Sequence, residues 1–346
     1  MNRRDFLFTA AAAAMSPAVA QVVDDGSVAL PAGQFLRWTI FSRHLQCLTT
    51  QEYARQYPYE TGVIIGEAAA EAGFGAINLA VRVDGHVEPE IVAANLAPML
   101  RGIRSTATHC DHITSAVLNL QSEHAEAVLT TAADNGVRYY RWGTFRYDHS
   151  ATAYGAGLVA QLDQARREAE ELAGYNARLG LTALYHTYSG NRVGASLWDL
   201  VYILDGLDPD AVGINFDIGH MFSEGVRSWV NDLRYAMPYV RGASMKDATY
   251  VTNEEGRAQR VFKAMGEGSV DWVEYFRLLR EGGFSGPAES HLEFEYRGAN
   301  LLRSTWWQES SDVIVSREQL ISLMSSELAA YIRYATEAGW ASAQLI

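Results

Sequence analysis

The sequence predicts a single α/β domain of the (β/α)8, or TIM, barrel class. Eight short runs of β-branched and aromatic residues alternate with eight longer segments of helical periodicity between residues 34 and 338. This alternation indicates parallel strands joined by helical crossovers, and eight units suit a closed barrel better than an open sheet. No Gly-x-Gly-x-x-Gly motif follows the first run, which argues against a dinucleotide-binding sheet.

The strand and helix boundaries follow from changes of period along the chain. The strands are predicted at 35–41, 76–81, 109–117, 137–142, 181–188, 211–217, 240–246 and 286–293. The helices are predicted at 60–73, 88–104, 121–135, 155–179, 196–205, 226–237, 269–282 and 316–338. No linker or low-complexity stretch interrupts the series, so we predict one domain over residues 34–338.

Glycines at the ends of several predicted helices support these boundaries, because a left-handed exit there ends a helix without steric penalty. These glycines are Gly73, Gly136, Gly180 and the pair Gly282-Gly283. Residues 42–59 and 294–315 form longer connections. A barrel places both at the carboxyl ends of its strands, which is the face where sites are built.

Composition and net charge exclude several classes of protein and of binding partner. The 346 residues are 48% hydrophobic and 20% charged, which excludes a disordered chain, a collagen and a disulfide scaffold. The 28 Lys and Arg residues face 41 Asp and Glu residues, and the formal net charge of -13 repels phosphate backbones and anionic membrane surfaces. We therefore expect no nucleic-acid partner, and a phosphorylated substrate would need a local arginine cluster.

Residues 1–20 have the three regions of a secretory signal peptide. Arg3-Arg4 precedes Asp5-Phe6-Leu7, and a short apolar run then ends at Ala18-Val19-Ala20. The paired arginines resemble a twin-arginine signal, and the run is too short to span a bilayer. The alternative is an alanine-rich cytosolic N-terminus. We expect a periplasmic or secreted protein with no membrane anchor after signal removal.

Polar and aromatic residues gather at the carboxyl ends of the predicted strands. Because the strands of a barrel open at one face, these side chains are expected to converge on one pocket. In strand order they are Ser42 and His44, Arg82 and His86, Thr114, Arg141 and Trp142, His186 and Tyr188, Asp217 and His220, Lys246 and Asp247, and His291 and Glu293. At least five of the nine histidines lie there, which favours a functional site over scattered surface histidines.

The sharpest local motif is Asp217-Ile218-Gly219-His220, at the end of an apolar strand. Asp217 can be an oxygen ligand for a metal, and His220 can be a ligand or an acid/base group on the same pocket. The alternative for Asp217 is the N-cap of the next helix.

A lysine ends the seventh predicted strand, and burial there is costly unless the charge is used. Lys246 can bind a substrate oxygen or move a proton, with Asp247 holding it in place. The alternative is a lysine that extends to solvent beside an ion-pair partner.

On the eighth strand Glu289, His291 and Glu293 share one face, and if that face is inward it places His291 at the mouth. Aromatic rings such as Trp142 and Tyr188 suit the apolar faces of a sugar, although many rings of this kind only pack.

The chain resembles the sugar phosphate isomerase/epimerase family of xylose isomerase-like barrels, which includes inosose dehydratases and ketose 3-epimerases. The resemblance covers about residues 34–338. It rests on Asn78-Leu79-Ala80-Val81-Arg82 with Gly85-His86-Val87, Tyr185-His186-x-x-Ser189-Gly190, Asn215-Phe216-Asp217-Ile218-Gly219-His220, Lys246-Asp247, Gly266-Glu267-Gly268-x-Val270-Asp271-Trp272, and Gly286-Pro287 before His291. The resemblance implies a divalent metal held by a Glu after strand five, an Asp after six, a His after seven and a Glu after eight.

This sequence departs from that ligand pattern at three of the four positions. Asp217 matches, whereas His186, Ser244 and His291 stand in place of the first Glu, the His and the last Glu. We predict a metal on His186, Asp217 and His291, completed by His220 or water. Such a site favours Mn, Zn or Co over Mg. The missing pair of metal-bound Glu bases argues against the two-base epimerisation of the ketose epimerases.

Together these observations predict an isomerase or epimerase acting on a sugar or keto-sugar by proton abstraction next to a carbonyl, with a divalent metal assisting. The predicted catalytic residues are Lys246, His220 and Glu293, and the predicted substrate-binding residues are His86, Arg141, Trp142, Tyr188 and Asp247. The alternatives are a periplasmic carbohydrate-binding protein without catalysis and a hydrolase or lyase on the same barrel. The expected partner is a small-molecule carbohydrate, and a homo-oligomer is left open.

Overall fold

The computed structural model describes residues 36–150, 154–308 and 315–341. Eight parallel strands close into a barrel, and their order around it is that of the chain. They are β1 (Arg37–Phe41), β2 (Ala76–Ala80), β3 (His109–Thr114), β4 (Tyr139–Trp142), β5 (Thr182–His186), β6 (Val212–Asp217), β7 (Val240–Met245) and β10 (Pro287–Ser290). Each coincides with a predicted strand, so the predicted barrel is confirmed. The predicted signal peptide, residues 1–20, lies outside the described residues.

Helices follow the strands and form the outer layer. They are α1 (Gln51–Gln56), α2 (Pro58–Glu71), α3 (Val92–Arg104), α4 (Ala125–Asp134), α5 (Ala156–Leu179), α6 (Leu197–Leu204), α7 (Ile218–Glu224), α8 (Trp229–Ala236), α9 (Trp272–Glu281), α10 (Leu301–Ser304) and α11 (Arg317–Glu337). The eight predicted helices correspond to α2 to α6, α8, α9 and α11. Within the described part of the chain, none of these helices has the length and apolarity needed to cross a membrane.

Local sequence explains where the long helices begin and end. Ser316 and Gln319 form a reciprocal capping box at the start of α11, with each side chain accepting from the other residue's backbone N–H. Asp271 caps α9 by accepting from the N–H of Glu274 at 3.0 Å. Gly180 ends α5 with φ +68°, the left-handed conformation that favours glycine.

The barrel has an apolar outer layer and a polar interior. Side chains alternate along each strand, so one set packs under the helices and the other points inward. The inward carboxylate of Glu289 on β10 accepts from Asn78 Nδ2 at 2.5 Å, from Ser244 Oγ at 3.1 Å and from Asn215 Nδ2 at 3.4 Å. These contacts join β10 to three other strands across the interior. They place a fully buried charge directly beneath the pocket face.

Additional elements decorate the carboxyl face of the barrel. An antiparallel hairpin of β8 (Asp247–Thr252) and β9 (Ala258–Lys263) follows β7, and a small pair of β11 (Glu295–Tyr296) and β12 (Ala299–Asn300) precedes α10. The sequence pattern predicts no helix or strand within residues 247–268. The helix α7 was also not predicted, because its seven residues form only two turns, too few to show a helical period of apolar residues.

Candidate active site

Lys246 lies at the centre of the polar cluster at the strand ends. Its side chain is almost fully buried, and Nζ lies 3.0 Å from Asp217 Oδ2 and 3.1 Å from Glu293 Oε2. Nζ also lies 3.2 Å from His220 Nε2. Lys246 therefore does not extend to solvent. Because two carboxylates compensate the ammonium, the charge can be kept in a buried position.

The two carboxylate oxygens of Asp217 have different partners. Oδ1 accepts from the backbone N–H of His220 at 3.0 Å and so caps α7. Oδ2 faces Lys246 Nζ and lies 3.2 Å from His186 Nε2. The capping and site interpretations of this residue are therefore compatible, since each uses a different oxygen.

His220 is held from both ends of its ring. Nε2 faces the Lys246 ammonium, which donates to it, and Nδ1 lies 3.0 Å from Ser189 Oγ. Burial, with the Lys246 charge adding to it, holds the pKa of His220 well below its usual range. The imidazole is therefore neutral at physiological pH, with Nε2 as its acceptor nitrogen.

His291 lies between two carboxylates. Its Nε2 is 3.2 Å from Glu289 Oε2, and its Nδ1 is 3.0 Å from Glu293 Oε1. Burial lowers the pKa of His291, but the two carboxylates outweigh burial and raise the pKa above its usual value. Burial likewise disfavours ionisation of Glu289 and Glu293, yet His291 holds the pKa of Glu289 well below its usual range, and Lys246 together with His291 does the same for the pKa of Glu293. The cluster is thus a chain of alternating charges.

The residues predicted to bind a metal present unsatisfied donor atoms. His186 Nε2, Asp217 Oδ2 and His291 Nε2 are buried and have no hydrogen-bond partner of good geometry among the described residues. His186, Asp217 and His220 can each bring one ligand atom within 4.8 Å of the others. The His291 ring stacks on the His186 ring at 5.6 Å. Burial holds the pKa of His186 well below its usual range, which leaves a neutral nitrogen donor. This donor set fits a borderline divalent cation.

Tyr188 forms one wall of the pocket mouth. Its ring lies 4.8 Å from the ring of His186 and 5.1 Å from that of His220. The guanidinium of Arg141 is 5.2 Å from the centre of the same ring, and that of Arg192, in the connection between β5 and α6, is 4.4 Å away. Both predicted binding residues, Tyr188 and Arg141, therefore adjoin the cluster.

His86 lies behind the mouth rather than in the cluster itself. Its Nδ1 is 3.1 Å from Ser42 Oγ, and its buried ring packs 5.1 Å from the ring of Trp307. Its Nε2 has no hydrogen-bond partner among the residues that the structure describes. Burial lowers the pKa of His86 to about 3, so the ring is neutral.

Trp142 is predicted to bind substrate, but the structure places it outside the pocket. It follows Arg141 on β4 and therefore points to the helical layer, as does Tyr140, whose hydroxyl donates to Asn176 Oδ1 on α5. Trp142 packs on Tyr185 and donates its Nε1–H to a backbone carbonyl at 2.6 Å. The ring completes the core and is not available to a ligand.

Asp247 also has a role that differs from the prediction. Instead of holding Lys246, its carboxylate accepts from the N–H groups of Gly266 at 2.8 Å and Gly268 at 3.1 Å, and from Trp272 Nε1 at 3.0 Å. Asp247 therefore fixes the segment between the hairpin and α9. A carboxylate that follows a strand cannot be assigned to one neighbour from sequence alone.

Two hairpin residues were missed by the sequence analysis. Arg260 on β9 donates to Ser189 Oγ and lies 3.4 Å from His220 Nδ1. Phe262, on the same face of the strand, lies 5.5 Å from the His220 ring and 5.3 Å from Lys246 Nζ. The length of the connection after the seventh predicted strand was the available signal, because long connections of a barrel often carry site residues.

The sequence and the fold are similar to those of known proteins. The sequence profile of the xylose isomerase-like TIM barrel family matches residues 67–317. An inosose dehydratase of Bacillus licheniformis is 30% identical over 127 residues, which are 34% of this chain and 40% of the relative. That of Bacillus velezensis is 28% identical over 134 residues, 36% of this chain and 44% of the relative. The matched region thus spans less than half the length of these relatives.

Several solved structures share the fold. A D-psicose 3-epimerase from Clostridium cellulolyticum superposes with a TM-score of 0.59 and 13% identity, covering 87% of this chain and 99% of its own. A 3-keto-D-glucoside 4-epimerase from E. coli gives 0.55 and 12%, with 84% and 99% covered. A xylose isomerase-like barrel from Mycobacterium smegmatis in complex with magnesium gives 0.57 and 16%, with 86% and 100% covered. At these identities the similarity concerns the fold alone.

Proposed function

Because the chain belongs to the xylose isomerase-like TIM barrel family, we propose that it is an isomerase or epimerase of a sugar or keto-sugar. The reaction moves a proton at the carbon next to a carbonyl. The observation that carries this proposal is the buried Lys246 ammonium, within 3.2 Å of a neutral histidine and of two carboxylates. A fixed cation beside proton acceptors is what enolisation requires.

Each member of the cluster has a role that follows from its charge state. On substrate binding, Lys246 turns the N–H that it donates to His220 toward the substrate carbonyl and stabilises the negative charge that develops on its oxygen. This frees Nε2 of the neutral His220 to accept the proton from carbon. Glu293 is ionised and 15% exposed at its side chain, so it can pass a proton between the pocket and solvent.

We also propose that a divalent metal assists the reaction. His186 and Asp217 would hold it, and the third protein ligand would be His291 after loss of its proton, or His220 if another group is the base. Two imidazoles and one carboxylate favour Mn, Zn or Co over Mg. When bound, such an ion polarises a substrate carbonyl as a Lewis acid. Lys246 Nζ lies 3.0 Å from Asp217 Oδ2, so the ammonium would adjoin a metal held by this carboxylate.

A lyase reaction is the second candidate, and the charge of His291 favours it. Loss of a hydroxyl at the next carbon needs a general acid, and an imidazolium between Glu289 and Glu293 can supply the proton. The inosose dehydratases that match part of the chain are named for such a reaction.

Exchange of the carbon-bound proton with solvent tests the proposal. Keto-sugars incubated with the enzyme in D2O should incorporate deuterium next to the carbonyl, as measured by ¹H NMR. Isomerisation or epimerisation conserves the mass apart from deuterium, whereas the lyase reaction loses water. Tight binding of a keto-sugar without any exchange would instead support a carbohydrate-binding protein.

A further inference from the structure

Two guanidinium groups near the cluster form no ion pair with any residue that the structure describes. Arg141 is only 7% exposed, and Arg82, which follows β2, is partly buried. Their Cζ atoms lie 6.0 and 5.5 Å from the centre of the Phe41 ring. Within 36–150, 154–308 and 315–341, neither side chain donates a hydrogen bond or forms an ion pair. Buried arginines are normally paired, so this arrangement is costly without a ligand.

The nearby carboxylates are already committed to other cations. Asp217 and Glu293 pair with Lys246, and Glu289 and Glu293 flank His291. The two arginines therefore remain as an excess of positive charge in a chain whose formal net charge is -13. Contact with the Phe41 ring, and for Arg141 also with the Tyr188 ring, does not replace a charged partner.

Both arginines stay charged at neutral pH. Burial, with the charge of Arg82 adding to it, lowers the pKa of Arg141 to about 10. Burial also lowers the pKa of Arg82, while the carboxylates of Glu293, Asp84 and Glu289 oppose that shift. Two like charges at one ring repel each other, and a shared anion would relieve the repulsion.

We propose that Arg82 and Arg141 form an anion-binding subsite, so that the substrate is a sugar bearing a carboxylate or a phosphate ester. Guanidinium groups bind both anions through paired N–H donors. This inference rests on the proposed function, because it places the anion and the reacting carbonyl on one molecule. The Phe41 ring beneath the arginines lies 5.2 Å from the His291 ring, so the subsite adjoins the catalytic cluster.

Equilibrium binding to the full chain tests the subsite without requiring turnover. We expect D-glucuronate or D-glucose 6-phosphate to bind at least about tenfold more tightly than D-glucose, by isothermal titration calorimetry. Comparing the two anions separates a carboxylate subsite from a phosphate subsite. Added salt should reduce the preference, since the interaction is between charges. Equal affinity for all three sugars would overturn the inference.

Variants locate the preference on the two arginines. Arg141→Gln should remove most of the preference for an anion, and Arg82→Gln should reduce it. Arg138→Gln is the matched control, because Arg138 precedes the same strand β4 at its amino end. A retained preference in both Arg141→Gln and Arg82→Gln would contradict the assignment.

Stability gives a second readout that a structural role would not produce. Arg141→Met removes a buried charge that has no ion-pair partner, so its melting temperature should equal or exceed that of the wild type. If Arg141 instead formed a structural ion pair, the substitution would lower the melting temperature. The proposed function fails separately. If anionic sugars bind but no anionic keto-sugar exchanges its proton for deuterium, the enzymatic proposal is wrong and the subsite stands. If only neutral sugars exchange, the subsite is wrong and the enzymatic proposal stands.

Discussion

Lys246 has an environment that only the folded chain reveals. The sequence predicts a lysine at the end of a buried strand, and burial there requires a compensating charge. It does not say which of the surrounding carboxylates supplies that charge. Asp247 is adjacent in sequence, yet it binds the Gly266 and Gly268 backbone instead. The partners Asp217 and Glu293 come from other strand ends. Convergence at the barrel mouth was therefore predictable, whereas the pairing within it was not.

Lys246→Met should lower kcat by roughly 10²-fold or more if the ammonium stabilises developing charge on a substrate oxygen. The methionine keeps most of the side-chain volume but leaves Asp217 and Glu293 without the ammonium, so the melting temperature should fall while the fold survives. Kinetics and thermal melts on the same preparation separate catalysis from stability. Lys263→Met, a change at the chain's other lysine, is the matched control and should retain kcat. Near-wild-type kcat in Lys246→Met would remove this residue from the mechanism.

The metal proposal predicts a change in metal content as well as in activity. Asp217→Asn keeps an oxygen that can cap α7 but loses the anionic donor, so metal occupancy measured by mass spectrometry should fall together with kcat. His291→Ala should also lower occupancy if His291, rather than His220, completes the site. Full occupancy in both variants would rule out a metal on these two residues.

The barrel elements were predictable because each strand and helix has its own period and its own boundary residues. Elements that lack a local pattern were missed, and these are the ones that complete the site. The hairpin β8–β9 carries Arg260 and Phe262 to His220, and its position depends on contacts distant in sequence. Glu327 on α11 provides one of them, since its carboxylate accepts from the backbone N–H of Met265 at 3.0 Å, just beyond the hairpin.

We predict that the free energy of unfolding depends on pH through the carboxyl group of Glu327. Burial raises its pKa from 4.5 to about 7, against the hydrogen bond from Met265. The folded state therefore binds more protons than the unfolded state between about pH 4.5 and 7, and Glu327 lowers the stability as the pH rises through that window. Glu327→Gln removes the charge and keeps an acceptor. Its free energy of unfolding should match that of the wild type at pH 4.5 and exceed it by roughly 2 to 3 kcal/mol at pH 8.

Chemical denaturation at several pH values measures this difference. Glu337→Gln, an exposed change on the same helix, is the control and should show no comparable dependence on pH. A constant difference between Glu327→Gln and the wild type from pH 4.5 to 8 would show that Glu327 does not change its ionisation on folding.

The whole chain combines an acidic surface with a pocket in which basic groups are concentrated. Its formal net charge of -13 does not indicate the local electrostatic field, because residues such as Arg82 and Arg141 meet only after the barrel closes. The metal-donor atoms of His186 and Asp217 are fully buried. A metal would therefore be loaded most readily while the chain folds, which would matter if residues 1–20 direct export.

Export by the twin-arginine route would satisfy that requirement, since this route carries folded proteins, and it is the prediction for residues 1–20. Replacing Arg3 and Arg4 together with Lys should leave the precursor in the cytoplasm, because the paired arginines are the element that the route requires. Cell fractionation and immunoblotting would measure the distribution, with Arg101→Lys as a conservative control outside the leader. If the double variant reaches the periplasm at the normal level, the chain uses another route and its metal would have to be acquired after export.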